Sequence, residues 1–272
     1  MTTPLPRLGL GTYRQVDPTV CAESVAGALD AGYRHIDTAQ MYDNEVAVGR
    51  GIRESQVGRE AVFLASKLTP DNLSHEAVIR TTQASLDRLG VDRLDLMYVH
   101  WPMNSYEPSE TLPALDELVE RGLVDAIGVS NFEPPHLERA REILETPILA
   151  NQVEMHPMLP QTRLLADARE HDYWLVAYSP IARTEIFDAA PIAETAARLG
   201  CTPAQLCLAW LLDQDNVAAI PKATGAHIGE NLAAKEVSLD EGPRDRLGAI
   251  ERRHRIVDFG GAPWHDPGAT SD

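Results

Sequence analysis

The stretch GYRHIDTAQMYDNE, residues 32–45, passes from a short apolar run into polar residues and then into an amphipathic pattern. The same order returns at FLASK (63–67) and at DLMYVHWP (95–102). The polar side chains and the runs that precede them are Asp37 and Tyr42 after Gly32–Ile36, Lys67 after Ala61–Ala65, and His100 after Leu94–Val99. Because a barrel of parallel strands gathers such ends at one face, we expect the four side chains to lie together.

Short apolar runs alternate with longer amphipathic ones along the chain, which is typical of repeated βα units around a parallel sheet. At 272 residues the chain has the size of one such barrel. We therefore predict an α/β fold, a (β/α)8 TIM barrel that forms a single domain over residues 1–272. The Gly- and Pro-rich residues 257–272 are expected to form a C-terminal loop over the active site. The predicted strands are Arg7–Gly11, Tyr33–Asp37, Val62–Ser66, Leu94–Val99, Ala126–Val129, Ala150–Val153, Trp174–Ala177 and Val217–Ile220, and the last predicted helix is His227–Ala234.

The four side chains suit the reduction of a carbonyl group by hydride. Such a reduction needs a proton for the developing alkoxide, and Tyr42 can supply it. The Lys67 ammonium would lower the pKa of the phenol, and Asp37 would hold that ammonium in place. His100 adds a donor aimed at the carbonyl oxygen. Each residue alone has an ordinary structural interpretation, as a solvated lysine, a core histidine or a turn residue, and only their joint occurrence favours a site.

Eight motifs occur in an order that resembles the aldo-keto reductase superfamily: GLGTYR, GYRHIDTAQMYDNE, LASK, DLMYVHWP, GVSNF, NQVEMHP, AYSP and IPKA. The resemblance covers residues 5–231. The segments DTAQMYDNE and HRIVDFGGAPWHD are most similar to the bacterial 2,5-diketo-D-gluconate and methylglyoxal reductases. The resemblance implies a nicotinamide-dependent reductase with Tyr42 as general acid.

A Rossmann-type coenzyme site is not expected, although Gly9-Leu10-Gly11 begins a G-x-G sequence. Arg14 stands where the third glycine belongs, and too little chain precedes the motif for a full strand. In a barrel the coenzyme would lie across the loops that follow the later strands. The resemblance implies contacts to the nicotinamide carboxamide from Ser130, Asn131 and Gln152, stacking on its ring by Tyr178, and a pyrophosphate contact from Ser179.

Lys222, in IPKATGAHIGEN, corresponds to the lysine that meets the 2′-phosphate of NADPH in the family. Ala223 replaces a serine found in many relatives, His227 stands near the place of an arginine, and the loop is one residue shorter. Thr224 can supply a hydroxyl there and His227 a pH-dependent cation. NADPH is therefore the preferred coenzyme, and NADH stays open. By the same resemblance, Glu230 and Asn231 contact the adenine.

The substrate pocket is expected to have apolar walls around a polar centre. The short tail leaves little lid for a bulky steroid, so we predict a small carbonyl substrate such as methylglyoxal, a simple aldehyde or a keto-sugar acid. By position, the lining residues are Tyr13, Met41, Trp101 and Phe132, with Trp264 closing over them.

The formal net charge of −17 and the pI near 4.9 argue against nucleic acid as a partner. Lysine occurs only three times, a composition shared by proteins of salt-loving archaea and by acidic proteins of GC-rich bacteria. The three cysteines lack CxxC spacing, which favours free thiols over a disulfide framework or a metal site. No signal sequence or long apolar run is visible, so we expect a cytoplasmic monomer or weak oligomer that does not bind membranes.

Two alternatives remain open at the level of function. The same side chains could serve a dehydrogenase that oxidises an alcohol or a sugar with NAD, which His227 keeps possible. The barrel could also act as a nicotinamide-sensing binding subunit, as in the potassium-channel β subunits that resemble this family. Coenzyme kinetics distinguish the first alternative, and coenzyme binding without turnover would indicate the second.

Overall fold

The computed structural model describes residues 5–266 and residue 269. Over these residues the chain forms one parallel sheet whose strands pair in sequence order. The eight strands are β1 Leu10–Gly11, β2 His35–Asp37, β3 Phe63–Leu68, β4 Leu96–Val99, β5 Ile127–Ser130, β6 Ile148–Glu154, β7 Trp174–Tyr178 and β8 Val217–Ala219. The ten α-helices are α1 Pro18–Ala31, α2 Glu45–Glu54, α3 His75–Leu89, α4 Pro108–Glu120, α5 Pro134–Ile143, α6 Thr162–Glu170, α7 Ala190–Leu199, α8 Pro203–Leu212, α9 Ala226–Leu232 and α10 Glu241–Gly248. The predicted (β/α)8 barrel is confirmed.

The barrel closes where the chain around β1 meets the chain around β8. The Gly9 amide donates to the Ala219 carbonyl at 2.9 Å, and the Gly11 amide donates to the Pro221 carbonyl at 3.1 Å. A Cβ at Gly11 would lie 2.6 Å from the carbonyl oxygen of Ile220, closer than atoms can approach. Gly11 therefore allows the backbones to approach at the closure, which is a structural reason for this glycine of the G-x-G motif.

Alternation along the strands carries the polar side chains to the inside of the barrel. On β3, Phe63 and Ala65 belong to the inner core, and Lys67 is the next inward position. On β4, Leu96 and Tyr98 belong to the same core, and the next position of that face is His100. Because a strand has a period of two, these inward rows end at the carboxyl end of the barrel.

The prediction was incomplete at the C-terminal end. Helix α10 was not predicted, because of its eight residues only Pro243 and Leu247 are buried and an apolar period is hardly visible. The loop beyond it contains one short 3₁₀ turn, Pro263–His265. The three cysteines are free, as expected. None of the helices formed by residues 5–266 is long and apolar enough to cross a membrane.

Candidate active site

The four candidate side chains meet at the carboxyl end of the barrel. Asp37 is the last residue of β2, and His100 directly follows β4. Lys67 lies inside β3 rather than past its end, because that strand continues to Leu68. Tyr42 ends a short 3₁₀ turn that follows β2. The rings of Tyr42 and His100 lie edge to face with centroids 5.7 Å apart.

The Lys67 ammonium is the centre of a hydrogen-bond chain. Its Nζ donates to a carboxylate oxygen of Asp37 and, at 2.7 Å, to the Thr38 carbonyl. A third, longer contact of 3.5 Å reaches the hydroxyl of Tyr42. The second carboxylate oxygen of Asp37 accepts from Gln152 Nε2 at 2.8 Å. Because Asp37 and Lys67 are both buried, their charges depend on each other, and the pair holds Nζ beside the phenol.

Burial dominates the protonation of Tyr42. It raises the pKa of the phenol well above its ordinary value, and the negative charge of Asp37 adds to the increase. The net shift is therefore upward, and the predicted lowering of this pKa by Lys67 does not prevail over burial. The physical reason is that Asp37 largely matches the lysine charge, while the phenol has lost its water. The phenol of Tyr42 is thus protonated at physiological pH, with Nζ of Lys67 3.5 Å from its oxygen.

The ammonium and the imidazole respond to the same burial. Burial lowers the pKa of Lys67, and Asp37 opposes that change. Burial and then the charge of Lys67 hold the pKa of His100 well below its usual range, so the imidazole is neutral. Its Nδ1 is buried and has no hydrogen-bond partner among the residues that the structure describes. A neutral imidazole can donate one N–H to a carbonyl oxygen without a second buried cation.

A polar and aromatic platform adjoins the tetrad at the ends of β5, β6 and β7. The Ser130 hydroxyl donates to the Gln152 carbonyl at 2.8 Å, and Asn131 Nδ2 donates to the Ser130 hydroxyl at 3.1 Å and to the carbonyl of His100 at 3.0 Å. The Tyr178 hydroxyl donates to Asn131 Oδ1 at 2.9 Å. The ring of Tyr178 is half-buried. A flat ring beside hydroxyl and amide groups fits a nicotinamide and its carboxamide.

The loop after β7 carries an unusual backbone. Ser179, Ala182, Arg183 and Thr184 have φ angles of 45°, 45°, 49° and 73°, in the left-handed region that favours glycine. Strain of this kind persists where the surrounding structure requires a special loop shape, and it is concentrated at ligand sites. The position beside Tyr178 fits a loop that carries the predicted pyrophosphate contact of Ser179.

The residues predicted for the adenosine end lie between β8 and α9. Lys222 is exposed, Thr224 is half-buried and Asn231 is buried. In α9, the exposed His227 is paired with Glu230, with Nδ1 and Oε2 2.6 Å apart. A carboxylate at that distance partly neutralises any positive charge on the imidazole. Lys222 is therefore the stronger of the two predicted cations for a 2′-phosphate.

Aromatic side chains border the tetrad on two sides. The ring of Tyr13 lies 5.2 Å from that of Tyr42, and Tyr13 is 46% exposed. Trp101 stacks at 6.5 Å on His100, and Trp264 of the tail lies 5.8 Å from Trp101. Met41 is 53% exposed at the rim. These positions agree with an apolar pocket that is open to solvent.

Phe132 corrects the predicted pocket. It has no exposed surface and belongs to the core between the barrel and the helices. Its ring packs on Tyr106 at 5.5 Å and on His136 at 5.7 Å. Phe132 lies two residues past β5, and the left-handed φ of 62° at Asn131 breaks the strand alternation before it. The side chain therefore packs outside the barrel, supports the loop after β5 and does not line the pocket.

Three further residues, for which the sequence predicts no role, border the pocket. Glu154, at the end of β6, binds the backbone of the tail through its buried carboxylate. Phe259 lies 5.2 Å from Trp101, and the Arg255 guanidinium lies 4.1 Å over the ring of Trp264. A glutamate inside the buried strand NQVEM is the signal that could have identified the first of them, since buried carboxylates need partners.

Comparisons with known proteins agree with the geometry over most of the chain. The model of the Aldo/keto reductase family matches residues 7–251. Methylglyoxal reductase DkgB of Escherichia coli O157:H7 is 37% identical over 257 residues, which cover 93% of this chain and 96% of that protein. Glyoxal reductase of Bacillus subtilis (strain 168) is 36% identical over 254 residues, 93% of this chain and 91% of that protein. A solved structure of a protein assigned as 2,5-diketo-D-gluconic acid reductase B has a TM-score of 0.91 at 36% identity, and covers 95% of this chain and 92% of its own.

Proposed function

The chain belongs to the aldo/keto reductase family, and from that premise we propose that it reduces small aldehydes and ketones with NADPH. The observation that carries the proposal is the buried chain from Asp37 through Lys67 to the hydroxyl of Tyr42, with His100 facing the same phenol. Methylglyoxal, other simple aldehydes and keto-sugar acids are the proposed substrates. The named reductases to which the chain is similar support this choice.

The residues present would divide the work as follows. Tyr178 would hold the nicotinamide ring of the coenzyme, which would supply the hydride when bound. Tyr42 gives its phenolic proton to the carbonyl oxygen as negative charge develops there. Lys67 donates a hydrogen bond to the phenol oxygen, which becomes more basic as its proton leaves. The neutral His100 donates to the carbonyl oxygen and orients it, a contribution that grows as the oxygen gains charge.

A direct assay tests the proposal. Methylglyoxal is offered with NADPH and with NADH in separate reactions at molar KCl, and the loss of reduced nicotinamide is followed by absorbance. Oxidation of NADPH that depends on methylglyoxal is the expected result. Coenzyme binding without turnover over a broad panel of carbonyls and alcohols would contradict a reductase and favour a binding subunit.

A dehydrogenase working in the opposite direction with NAD remains the second candidate. The pairing of His227 with Glu230 favours it, because a neutralised His227 leaves Lys222 as the main cation for a 2′-phosphate. Faster turnover of an alcohol with NAD than of any carbonyl with NADPH would support this alternative.

Lys222→Met tests the coenzyme preference. We expect the dissociation constant for NADPH to rise by about tenfold, because a charge-assisted contact to the phosphate is lost. The constant for NADH should hardly change, since that coenzyme has no 2′-phosphate. Quenching of protein fluorescence measures both constants without turnover. Lys235→Met, which removes another exposed lysine, is the matched control, and equal weakening of both coenzymes by Lys222→Met would contradict the assignment.

The acidic surface suggests a dependence on salt. With a net charge of −17, self-repulsion opposes the folded state at low ionic strength, and salt screens that repulsion. If the composition reflects a saline cytoplasm, the melting temperature should rise steeply with KCl well beyond about 0.15 M, where screening of an ordinary protein is already extensive. Thermal melts in increasing KCl check this expectation, and a flat profile above that concentration would favour the ordinary acidic protein.

A further inference from the structure

Glu154 is a buried carboxylate that the proposed chemistry does not use. It lies at the carboxyl end of β6 and is 1% exposed. Its Oε1 accepts from the backbone amide of Ile256 at 2.6 Å, and its Oε2 accepts from the amide of Val257 at 2.8 Å. The imidazole Nε2 of the fully buried His156 lies 3.1 Å from Oε1. Both oxygens are therefore occupied, and two of the three partners are consecutive amides of the C-terminal tail.

The segment held by this carboxylate continues directly into the wall of the pocket. Phe259 and Trp264 both pack on Trp101, at 5.2 and 5.8 Å, and Trp101 stacks on His100. Asp258 accepts from the indole of Trp264 at 3.0 Å, so the tail is also tied to itself. One carboxylate on a barrel strand thus anchors the start of the segment, and its aromatic rings lie beside the tetrad.

The same carboxylate adjoins the coenzyme platform. The amide of Met155, the residue after Glu154, donates to the Tyr178 carbonyl at 3.3 Å, and Glu154 pairs with Tyr178 in the sheet register. The anchor of the tail and the ring predicted to stack on nicotinamide are therefore attached to neighbouring strand ends. Loss of the hydrogen bonds from Glu154 would therefore displace the aromatic residues of the tail that border the pocket. The tetrad would stay in place, because the strands hold it.

We propose that Glu154 is a positioning residue that holds the C-terminal segment over the carbonyl pocket and thereby sets the affinity for substrate. The proposal rests on the proposed function of the same site. It assigns Glu154 no contact with the substrate, because its two oxygens are already engaged by amides and by His156. Its effect is transmitted through Phe259 and Trp264.

Glu154→Gln tests whether the hydrogen bonds from the Ile256 and Val257 amides to Glu154 hold the tail. The variant keeps the shape of the side chain but removes the charge and one acceptor. Hydrogen exchange of the Ile256 and Val257 amides should accelerate by about tenfold or more, since hydrogen bonds to a charged acceptor are the strong ones. The amide of His254, which donates to the Met158 carbonyl at 3.0 Å, is an internal control for global opening. Equal acceleration of all amides, or none, would overturn the local anchor.

Kinetics of the same variant test the link to the pocket. The KM for methylglyoxal should rise by about tenfold while kcat stays within a few-fold, because binding is weakened and the proton donor is untouched. Trp264→Ala should raise KM as well, and the double variant should add little to the larger single effect. Additive effects on KM would contradict a shared route through the tail.

Two further variants keep the proposal testable. Asp258→Asn removes another carboxylate of the tail but leaves both amides on Glu154, so exchange at Ile256 and Val257 should stay slow. If Glu154→Gln does not fold, Val257→Pro removes one donor from the tail side and should raise KM in the same direction. A wild-type enzyme that turns over no carbonyl would defeat the proposed function, whereas unchanged amide exchange in Glu154→Gln would defeat the anchor alone.

Discussion

Tyr42→Phe is expected to bind NADPH as the unaltered enzyme does and to lose kcat by about 10²-fold or more, the usual contribution of a positioned proton donor. Only the hydroxyl is removed, so the ring contacts with Tyr13 and His100 are kept. Steady-state reduction of methylglyoxal measures kcat, and fluorescence titration measures coenzyme binding. The loss should appear equally in kcat and in kcat/KM, because the proton is transferred only in the transition state.

Tyr13→Phe is the matched control for this change. It removes a hydroxyl from the neighbouring aromatic ring, which is 46% exposed. The Lys67 ammonium donates to Asp37, Thr38 and Tyr42 instead. The kcat of Tyr13→Phe should remain near that of the unaltered enzyme, because Tyr13 borders the pocket but is assigned no proton transfer. Turnover of Tyr42→Phe close to that of Tyr13→Phe would exclude Tyr42 as the acid.

Lys67→Met is expected to lose both activity and stability. Removal of the ammonium leaves the carboxylate of Asp37 buried without its partner, which costs about 3–5 kcal/mol of the free energy of unfolding. The phenol also loses the charged donor that lies 3.5 Å from its oxygen, so kcat should fall by about 10²-fold or more. Urea unfolding and the methylglyoxal assay measure the two losses separately.

The double variant Asp37→Asn/Lys67→Met distinguishes the two losses. It removes both charges, so much of the lost stability should return while kcat stays low. Recovery of kcat together with stability would mean that Lys67 has a structural role only. The pH profile of the unaltered enzyme adds a check. Because burial raises the pKa of Tyr42 above the ordinary value of about 10, the acid form persists, and reduction should not decline through loss of the phenolic proton up to about pH 10.

The barrel and the tetrad could be predicted because both depend on local patterns. A strand has a period of two. The apolar runs that end near Asp37, Lys67 and His100 therefore predict which of these side chains point to the inside of the barrel. The eight-strand barrel and its sequential pairing are confirmed. The ends of the strands were predicted less accurately. The third strand was predicted to end at Ser66, but β3 continues to Leu68 because its pairing with β4 extends that far.

Three features could not be predicted from the sequence, each for a physical reason. Phe132 is an aromatic residue near the site, but the left-handed backbone of Asn131 ends the strand alternation and turns the ring into the layer beneath the helices. Helix α10 buries too few side chains to show a period. The protonation of Tyr42 is governed by burial rather than by the neighbouring ammonium, and burial is known only when the barrel has closed around the phenol.

The sequence by itself determined which chemical groups stand at the ends of the strands, and with them the fold and the candidate proton donor. The tertiary structure alone decided how those groups are held. Gln152 supports Asp37 across 115 residues of chain, and Glu154 binds amides more than 100 residues away. Such contacts have no local signature, because they arise only when the closure of the barrel brings distant backbone and side chains within hydrogen-bonding distance.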